Sequence, residues 1–316
     1  MTPTPMPSSQ IARRIAEDAR SENRMCWTCG SCDFECPVNV ATGGRLRPQR
    51  LVRLASLGLF DELVAAPEIW YCLQCNGCRQ VCPNLVRPSE VIAYARSEAM
   101  QQAVLPEAFY FEHAALQVQR QRLARQSAAT LAGAIGTARF LDRTGPIQLA
   151  DLPRTATSPC WTCGECSSAC PAAGGRDVFD PRSIFRALAL GLSQSLKQSP
   201  AIWLCLSCGR CTDVCSQGID GRQIIAELQQ DAIAEGFVAA GFPFHWRRQV
   251  RVVHRCWVNA VDHLLDTYRA PAHGTPTRSC SDMAACIKTD TFGETIPFPR
   301  PVNPPGELPA ELRRQA

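Results

Sequence analysis

The sequence predicts an all-α protein, on three observations. Apolar residues recur at helical spacing, for example in RPQRLVRLASLGL from Arg47, where a proline lies near the start and a glycine near the end. No segment rich in β-branched residues alternates with a period of two, as a half-buried strand would. The chain also repeats itself, because CWTCGSCDFECP from Cys26 returns as CWTCGECSSACP from Cys160. Such self-similarity indicates two copies of one structural unit.

The repeated unit is about 133 residues long. The helix predicted from Arg47 lines up with DPRSIFRALALGL from Asp180, and APEIWYCLQCNGCRQVCP from Ala66 lines up with SPAIWLCLSCGRCTDVCS from Ser199. A further helix is predicted after each of the latter segments, and Ser89 is expected to cap the first of these. The chain is thereby predicted to comprise an N-terminal tail and helix start (1–20), a first domain (21–104), a helical linker (105–155), a second domain (156–236), a C-terminal helical extension (237–296) and a proline-rich tail (297–316).

Composition narrows the class of protein. Hydrophobic residues make up 46% of the 316 residues and charged residues 20%, which is typical of a soluble globular chain. No apolar run reaches the roughly 20 residues that span a bilayer, and no secretory signal follows the N-terminal arginines, so we expect a cytoplasmic protein without a transmembrane segment. The net charge of +4 is small and no nucleic-acid-binding module is present, which argues against a nucleic-acid partner.

Cysteines carry the strongest signal. Of the 19 cysteines, 16 fall into four copies of C-x-x-C-x-x-C-x-x-x-C. The first three copies are followed by proline and the fourth by Ser216. The four copies are Cys26, Cys29, Cys32, Cys36; Cys72, Cys75, Cys78, Cys82; Cys160, Cys163, Cys166, Cys170; and Cys205, Cys208, Cys211, Cys215.

This spacing favours [4Fe–4S] clusters. A cubane offers four iron corners, and in two-cluster ferredoxins the fourth cysteine of such a run binds the other cluster, so motifs occur in pairs. Zinc is the weaker alternative, because zinc sites pair C-x-x-C with a second couple or with histidines further along the chain. Disulfides would require an oxidising compartment, for which the sequence carries no export signal.

At these residues the chain resembles the C-type iron–sulfur component of heterodisulfide reductase, the two-cluster helical protein whose fold recurs in the iron–sulfur subunit of succinate dehydrogenase. The resemblance rests on CWTC at the start of each unit, the helix from Arg47 or Asp180, the IWYCLQC and IWLCLSC segments and the helix after each, and it covers roughly residues 20–100 and 155–235. It implies two tandem α-helical ferredoxin domains with four [4Fe–4S] clusters in all, plus additional helices, acting as an electron conduit.

The resemblance also implies a crossed set of ligands in each unit. Local sites made of four successive cysteines are the alternative that sequence leaves open. The crossed ligand sets are Cys26, Cys29, Cys32 and Cys82; Cys72, Cys75, Cys78 and Cys36; Cys160, Cys163, Cys166 and Cys215; and Cys205, Cys208, Cys211 and Cys170.

The function that follows is a non-catalytic electron-transfer subunit of a heterodisulfide reductase-like complex. The expected partners are a catalytic subunit with CCG domains, like the B-type component of heterodisulfide reductase, and a flavoprotein or ferredoxin donor. This chain contains no CC dipeptide, so catalysis is assigned to a partner. Two rivals remain open: a relay subunit for a succinate- or glycolate-type flavin dehydrogenase, and an iron–sulfur redox sensor.

Several residues outside the ligand sets receive weaker predictions. Ser216 replaces proline beside Cys215 and is expected to alter the potential of the cluster there, because hydrogen bonds to cluster sulfur shift it. Ordinary packing and solvation are preferred to a functional role for the remaining residues, which are the spare cysteines Cys256, Cys280 and Cys286, the motif tryptophans Trp27, Trp70, Trp161 and Trp203, and the arginines Arg247, Arg251 and Arg255.

Overall fold

A computed structural model describes residues 6–134, 160–173 and 179–269, and throughout these ranges the ordered elements are helical, with no β-strand. The predicted all-α fold is confirmed. No helix in the same ranges is both long and apolar enough to cross a membrane. The helices before the first long helix are α1 Ser9–Asp18, α2 Ser31–Glu35, α3 Pro37–Thr42, α4 Pro48–Leu57, α5 Phe60–Ala65, α6 Glu68–Tyr71, α7 Gly77–Gln80 and α8 Pro88–Gln101.

The second half of the chain repeats this plan in shorter form. Two helices stand apart by length, α9 Glu107–Ala134 and α15 Phe242–Arg269. Between them lie α10 Glu165–Ser168, α11 Pro181–Ala189, α12 Ser193–Lys197, α13 Arg210–Asp213 and α14 Gly221–Ala234, with 3₁₀ turns at Asn23–Met25 and Pro200–Leu204. Residues 135–159 and 270–316, which include Cys280 and Cys286, lie outside the described residues.

The helix between the two motifs of a unit forms as the sequence predicts. In α4, Pro48 occupies the first turn and Gly58 ends the helix in the left-handed conformation, with φ of +68°. Leu51, Val52 and Ala55 are buried on its inner face. In the second unit α11 begins at Pro181 and buries the corresponding apolar face. These helices form the floor beneath the cysteine loops.

The capping role predicted for Ser89 is wrong. Helix α8 begins at Pro88, and its N-cap residue is Arg87, without a side-chain capping hydrogen bond. Ser89 is buried and its hydroxyl instead donates to the side-chain oxygen of Asn76, in the second cysteine loop. The proline at the first helical position already removes one N–H group that would otherwise require a cap. The serine is thereby available to fix the loop.

The two long helices cross between the units. In its first part α9 packs on the first unit, where His113 Nε2 donates to the carbonyl oxygen of Trp70 at 2.9 Å. Further along, Gln121 Nε2 donates to the carbonyl oxygen of Pro171 in the second unit at 3.1 Å. Helix α15 runs the other way: Trp246 Nε1 donates to the carbonyl oxygen of Trp203 at 2.8 Å.

The later part of α15 returns to the first unit. Trp257 is fully buried there, and its Nε1 donates to the carbonyl oxygen of Tyr71 at 2.9 Å. Asp262 forms an ion pair with Arg45 at 2.7 Å. Val252, Trp257, Val261 and other α15 residues are accordingly part of the core of the first unit. The two units share their long helices, so their relative placement is set by buried side chains.

Candidate metal centres

Four cavities are lined by the motif cysteines. Each holds about 330–380 Å³ of space that protein atoms do not fill. The first outer cavity is lined by Cys26, Cys29, Cys32 and Cys82; the first inner cavity by Cys36, Cys72, Cys75 and Cys78; the second inner cavity by Cys170, Cys205, Cys208 and Cys211; and the second outer cavity by Cys160, Cys163, Cys166 and Cys215, with Cys211 at its border.

Each cavity therefore takes three thiols from one motif and a fourth from the other motif of the same unit. The outer cavities reach the surface, since Cys29 and Cys163 are exposed, whereas Cys72 and Cys208 in the inner cavities are buried. Short helices carry the third cysteine of each motif, such as Cys32 in α2. The fourth cysteine follows such a helix and crosses to the other cavity.

The same unusual backbone conformation occurs in all four loops. The residue before the second cysteine has a φ between +51° and +58°, and the residue after it has a φ between +64° and +93°. In the first set the residues are Thr28, Gln74, Thr162 and Ser207, and in the second Gly30, Asn76, Gly164 and Gly209. A positive φ is costly for non-glycine residues and clusters at ligand-binding sites. Its fourfold recurrence fits loops built to wrap a metal cluster.

Backbone N–H groups point at cysteine sulfur in these loops. Gln74 N donates to Cys72 Sγ at 3.4 Å, and Ser207 N donates to Cys205 Sγ at 3.3 Å in the equivalent loop. Such hydrogen bonds stabilise a thiolate and, in iron–sulfur proteins, contribute to the reduction potential. The donor set thus suits ligands that are deprotonated when they bind.

Burial opposes the thiolate form where no cluster is bound. It raises the pKa of Cys32 and Cys75 to about 12 and that of Cys205 to about 11. At the surface, a hydrogen bond with Ser31 lowers the pKa of Cys29. Cluster assembly must therefore displace protons from buried thiols, which makes it dependent on pH.

A buried arginine also fits a negatively charged cluster. The side chain of Arg120 in α9 is 5% exposed, and its Nε has no hydrogen-bond partner among the residues that the structure describes. The thiol of Cys75 lies close enough to influence its pKa. An isolated buried cation is unfavourable, and a thiolate-bound cluster would supply the missing negative charge. The residues present therefore fit the cluster that the sequence predicts.

A single metal ion fits less well. Across the described ranges, no three His, Cys, Asp or Glu side chains converge closely enough to hold one ion. Zinc requires four ligands at about 2.0–2.3 Å from one centre. A cubane instead binds each thiolate at a separate iron corner. The wide spacing of the thiols around each cavity favours the cluster.

The inner cavities of the two units face each other. Cys75 and Cys208 are close enough that each thiolate would repel the other, since Cys208 raises the pKa of Cys75. Gln80 Nε2 donates to the carbonyl oxygen of Cys208 at 3.3 Å, across the junction. Arg79 and Asp213 form an ion pair at 3.0 Å beside this contact. A second pair, Arg210 with Glu90 at 3.5 Å, joins the same surfaces.

The four motif tryptophans have two different environments. Trp70 and Trp203 are 3% and 5% exposed and pack against Phe109 and Phe242 respectively. This pair agrees with the packing role predicted from sequence. Trp27 and Trp161 are 71% and 73% exposed, so packing is the wrong explanation for them. They lie beside the outer cavities, where the chain is open to a partner.

The other residues singled out from sequence fall in different places. Cys256 is buried in the core of the first unit and lines none of the four cysteine cavities. Arg247 and Arg251 are exposed and Arg255 is half-buried. Ser216 lines the second outer cavity beside Cys215. Sequence reasoning did not identify Arg96, Gln80 or Arg120, which surround the inner cavities.

Comparison with known proteins agrees with this geometry. A family described as the 4Fe-4S dicluster domain matches the chain twice, at residues 22–86 and 156–219. The chain therefore carries two dicluster iron–sulfur domains in tandem, and each match contains one pair of cysteine motifs. The predicted tandem arrangement is confirmed, as is the presence of [4Fe–4S]-type domains.

Curated relatives connect these domains with heterodisulfide reductase. Three of them are C-type subunits of this enzyme: that of the H(2):CoB-CoM heterodisulfide,ferredoxin reductase of Methanothermobacter thermautotrophicus (35% identity over 28% of this chain and 48% of the relative), the second iron-sulfur one of the CoB–CoM heterodisulfide reductase of Methanocaldococcus jannaschii (34%, 28% and 45%), and that of the Ferredoxin:CoB-CoM heterodisulfide reductase of Methanosarcina mazei (32%, 31% and 56%). The chain spans about half the length of these relatives. The resemblance to the C-type component is confirmed over the matched segment.

Proposed function

We propose that this chain relays electrons through four [4Fe–4S] clusters as a non-catalytic subunit of a heterodisulfide reductase-like complex. The observation that carries the proposal is the set of four thiol-lined cavities, each with three cysteines from one motif and one from its partner motif. Bound clusters would supply one-electron redox chemistry. The protein supplies ligands, burial and spacing.

The proposed ligands are the crossed sets expected from the sequence. Each set coincides with the cysteines around one cavity, which supports crossed binding over four successive cysteines in one site. Cys82 and Cys36 exchange between the cavities of the first unit, and Cys215 and Cys170 exchange between those of the second. This exchange ties the two motifs of a unit together, so loss of one crossing cysteine affects a cavity built mainly by the other motif.

The proposed path runs from one outer cavity through both inner cavities to the other outer cavity. The proximity of Cys75 to Cys208 and the hydrogen bond from Gln80 to Cys208 support direct contact between the inner sites. Exposed Cys29 and Cys163 place the two ends of the path near solvent. Partners would therefore exchange electrons at the ends, and the protein core would insulate the middle.

The proposed partners are a catalytic subunit with CCG domains and a flavoprotein or ferredoxin donor, in the cytoplasm. Support comes from the names of the relatives, two of which include ferredoxin and heterodisulfide together. No residue at the cavities is needed for proton transfer, since the step assigned to this chain moves electrons alone. The disulfide chemistry itself is assigned to the catalytic partner.

Electron exchange with a ferredoxin tests this function. The anaerobic chain is reduced with dithionite, freed of excess reductant and mixed in a stopped-flow instrument with an oxidised two-cluster ferredoxin. We expect the visible absorbance of the clusters to recover much faster than in buffer alone. The Cys75→Ser variant should lose one cluster and break the path in the middle, so its recovery becomes biphasic. A wild-type chain that holds its clusters yet exchanges no electrons with the ferredoxin would contradict the relay.

A further inference from the structure

The two units differ in charge around their inner cavities. Arg96 in α8 donates from Nε to the carbonyl oxygen of Ile69 and from a terminal nitrogen to that of Cys72, both at 2.6 Å. The residue 133 positions later is Gln229, whose Nε2 donates to the carbonyl oxygen of Ile202 at 2.7 Å. Ile69 and Ile202 are themselves equivalent residues of the repeat. The same hydrogen bond is thus made by a cation in the first unit and by a neutral amide in the second.

Arg120 adds a second difference. Its guanidinium lies 6.0 Å from the ring centre of Trp257 and close enough to Cys75 for the thiolate to affect its pKa. Burial lowers the pKa of Arg120 to about 10, so the side chain still carries its charge at neutral pH. The residue 133 positions later is Val253, which is buried and uncharged. The first inner cavity therefore has two nearby cations that the repeat does not reproduce.

The cations near the second inner cavity are more strongly compensated. Arg222 influences Cys205, but it is exposed and its side chain donates to Gln80 at 3.3 Å. Arg79 and Arg210 at the junction are both paired with carboxylates. Exposed and paired charges are screened by water and by their partners. By contrast, Arg96 is half-buried, Arg120 is buried, and the ion pairs formed within the described residues include neither.

We propose that Arg96 and Arg120 raise the reduction potential of the cluster in the first inner cavity above that of the cluster in the second. Reduction adds one negative charge to a cluster, and a nearby buried cation stabilises the reduced form in a medium of low dielectric constant. An electron in the middle of the chain then resides on the first unit. The proposal rests on the relay function and adds a direction to it.

Exchanging residues 96 and 229 tests the proposal, because each side chain can make the hydrogen bond of the other. The potentials are measured by redox titration monitored by EPR. Signals are assigned to the inner cavities by their loss in Cys78→Ser and Cys208→Ser. We expect Arg96→Gln to lower the ratio of reduced to oxidised cluster in the first inner cavity about tenfold at a fixed potential, which is about 59 mV for one electron. Gln229→Arg should shift the second inner cavity in the opposite direction.

Two controls separate charge from packing. Arg96→Lys retains the charge and should leave the potential close to that of the wild type, as should Arg53→Gln, which removes an exposed cation on α4. Arg120→Met should lower the potential of the first inner cavity in the same direction as Arg96→Gln. Iron and sulfide content is measured for every variant, so that cluster loss is not taken for a shift.

The outcomes distinguish this inference from the relay function. Unchanged inner potentials in Arg96→Gln, Gln229→Arg and Arg120→Met, with full iron and sulfide, would overturn the inference and leave the relay intact. A higher wild-type potential in the second inner cavity would also overturn it. A wild-type chain without iron or sulfide would overturn both. Opposite shifts in the two exchange variants, with normal cluster content, would establish the asymmetry.

Discussion

Gly221 holds the second inner cavity open, and its replacement by alanine should remove one cluster. A Cβ atom at this position would lie 2.4 Å from Cζ of Phe185 and 2.7 Å from Sγ of Cys211. Phe185 belongs to the buried core and has little room to move, since protein interiors are close-packed. The sulfur must therefore retreat by about 0.7 Å to reach ordinary van der Waals contact.

That displacement is large for a metal ligand. Ligand distances in metal sites hold to within about 0.2 Å, and overpacking a core costs about 1–3 kcal/mol. We expect Gly221→Ala to retain the helical fold but to lose the cluster proposed for Cys170, Cys205, Cys208 and Cys211. Iron and acid-labile sulfide should fall from about sixteen to about twelve of each per chain.

The matched control is Gly241→Ala. An added Cβ there would lie 3.7 Å from the nearest atom, in the side chain of His245, and the backbone is not left-handed. This variant should keep its full iron and sulfide content. If Gly221→Ala also kept the wild-type content and EPR spectrum, the reasoning that places the Cys211 sulfur at a cluster would be refuted.

Three further changes probe other parts of the account. Cys82→Ser should lose the cluster of the first outer cavity, whose other thiols come from the first motif, and EPR that showed loss at the first inner cavity instead would refute crossed binding. Burial lowers the pKa of His113 to about 4 from 6.5, so the unfolded chain binds the extra proton first as pH falls, and stability should drop by up to about 3 kcal/mol between pH 6.5 and 4; urea midpoints for His113→Gln should depend less on pH over this range, and an unchanged dependence would count against a neutral buried histidine. Arg79→Asp should weaken magnetic coupling between the inner clusters by opposing Asp213, and adding Asp213→Arg should restore it; coupling indifferent to both would argue against a junction at this ion pair.

Much of the fold was predictable because the repeat is strong in the sequence. The boundaries of α4 follow from Pro48 and Gly58, which act through local backbone chemistry. The return of α15 to the first unit was not predictable, since helical periodicity shows that a face is apolar but not which surface will cover it. The distance from Tyr71 to Trp257 along the chain illustrates this, because their hydrogen bond joins residues 186 positions apart.

The candidate site divides in the same way. Cysteine spacing predicted the ligands, since loop geometry limits which thiols can reach one cluster. The different environments of Trp27 and Trp70 depend on tertiary packing, because each follows or precedes a cysteine motif in the same apolar context. The difference between Arg96 and Gln229 is visible in the aligned repeats, but its meaning requires the shared hydrogen bond to the carbonyl oxygen of an equivalent isoleucine.

The most direct test of the central claim is the content of iron and acid-labile sulfide in the anaerobically purified chain, combined with EPR of the dithionite-reduced sample. The account predicts about sixteen iron and sixteen sulfide per chain, with interacting S = 1/2 signals, because four cubanes lie in series. About four zinc ions without sulfide would contradict it, and the cysteine cavities would then be structural metal sites with no part in electron transfer.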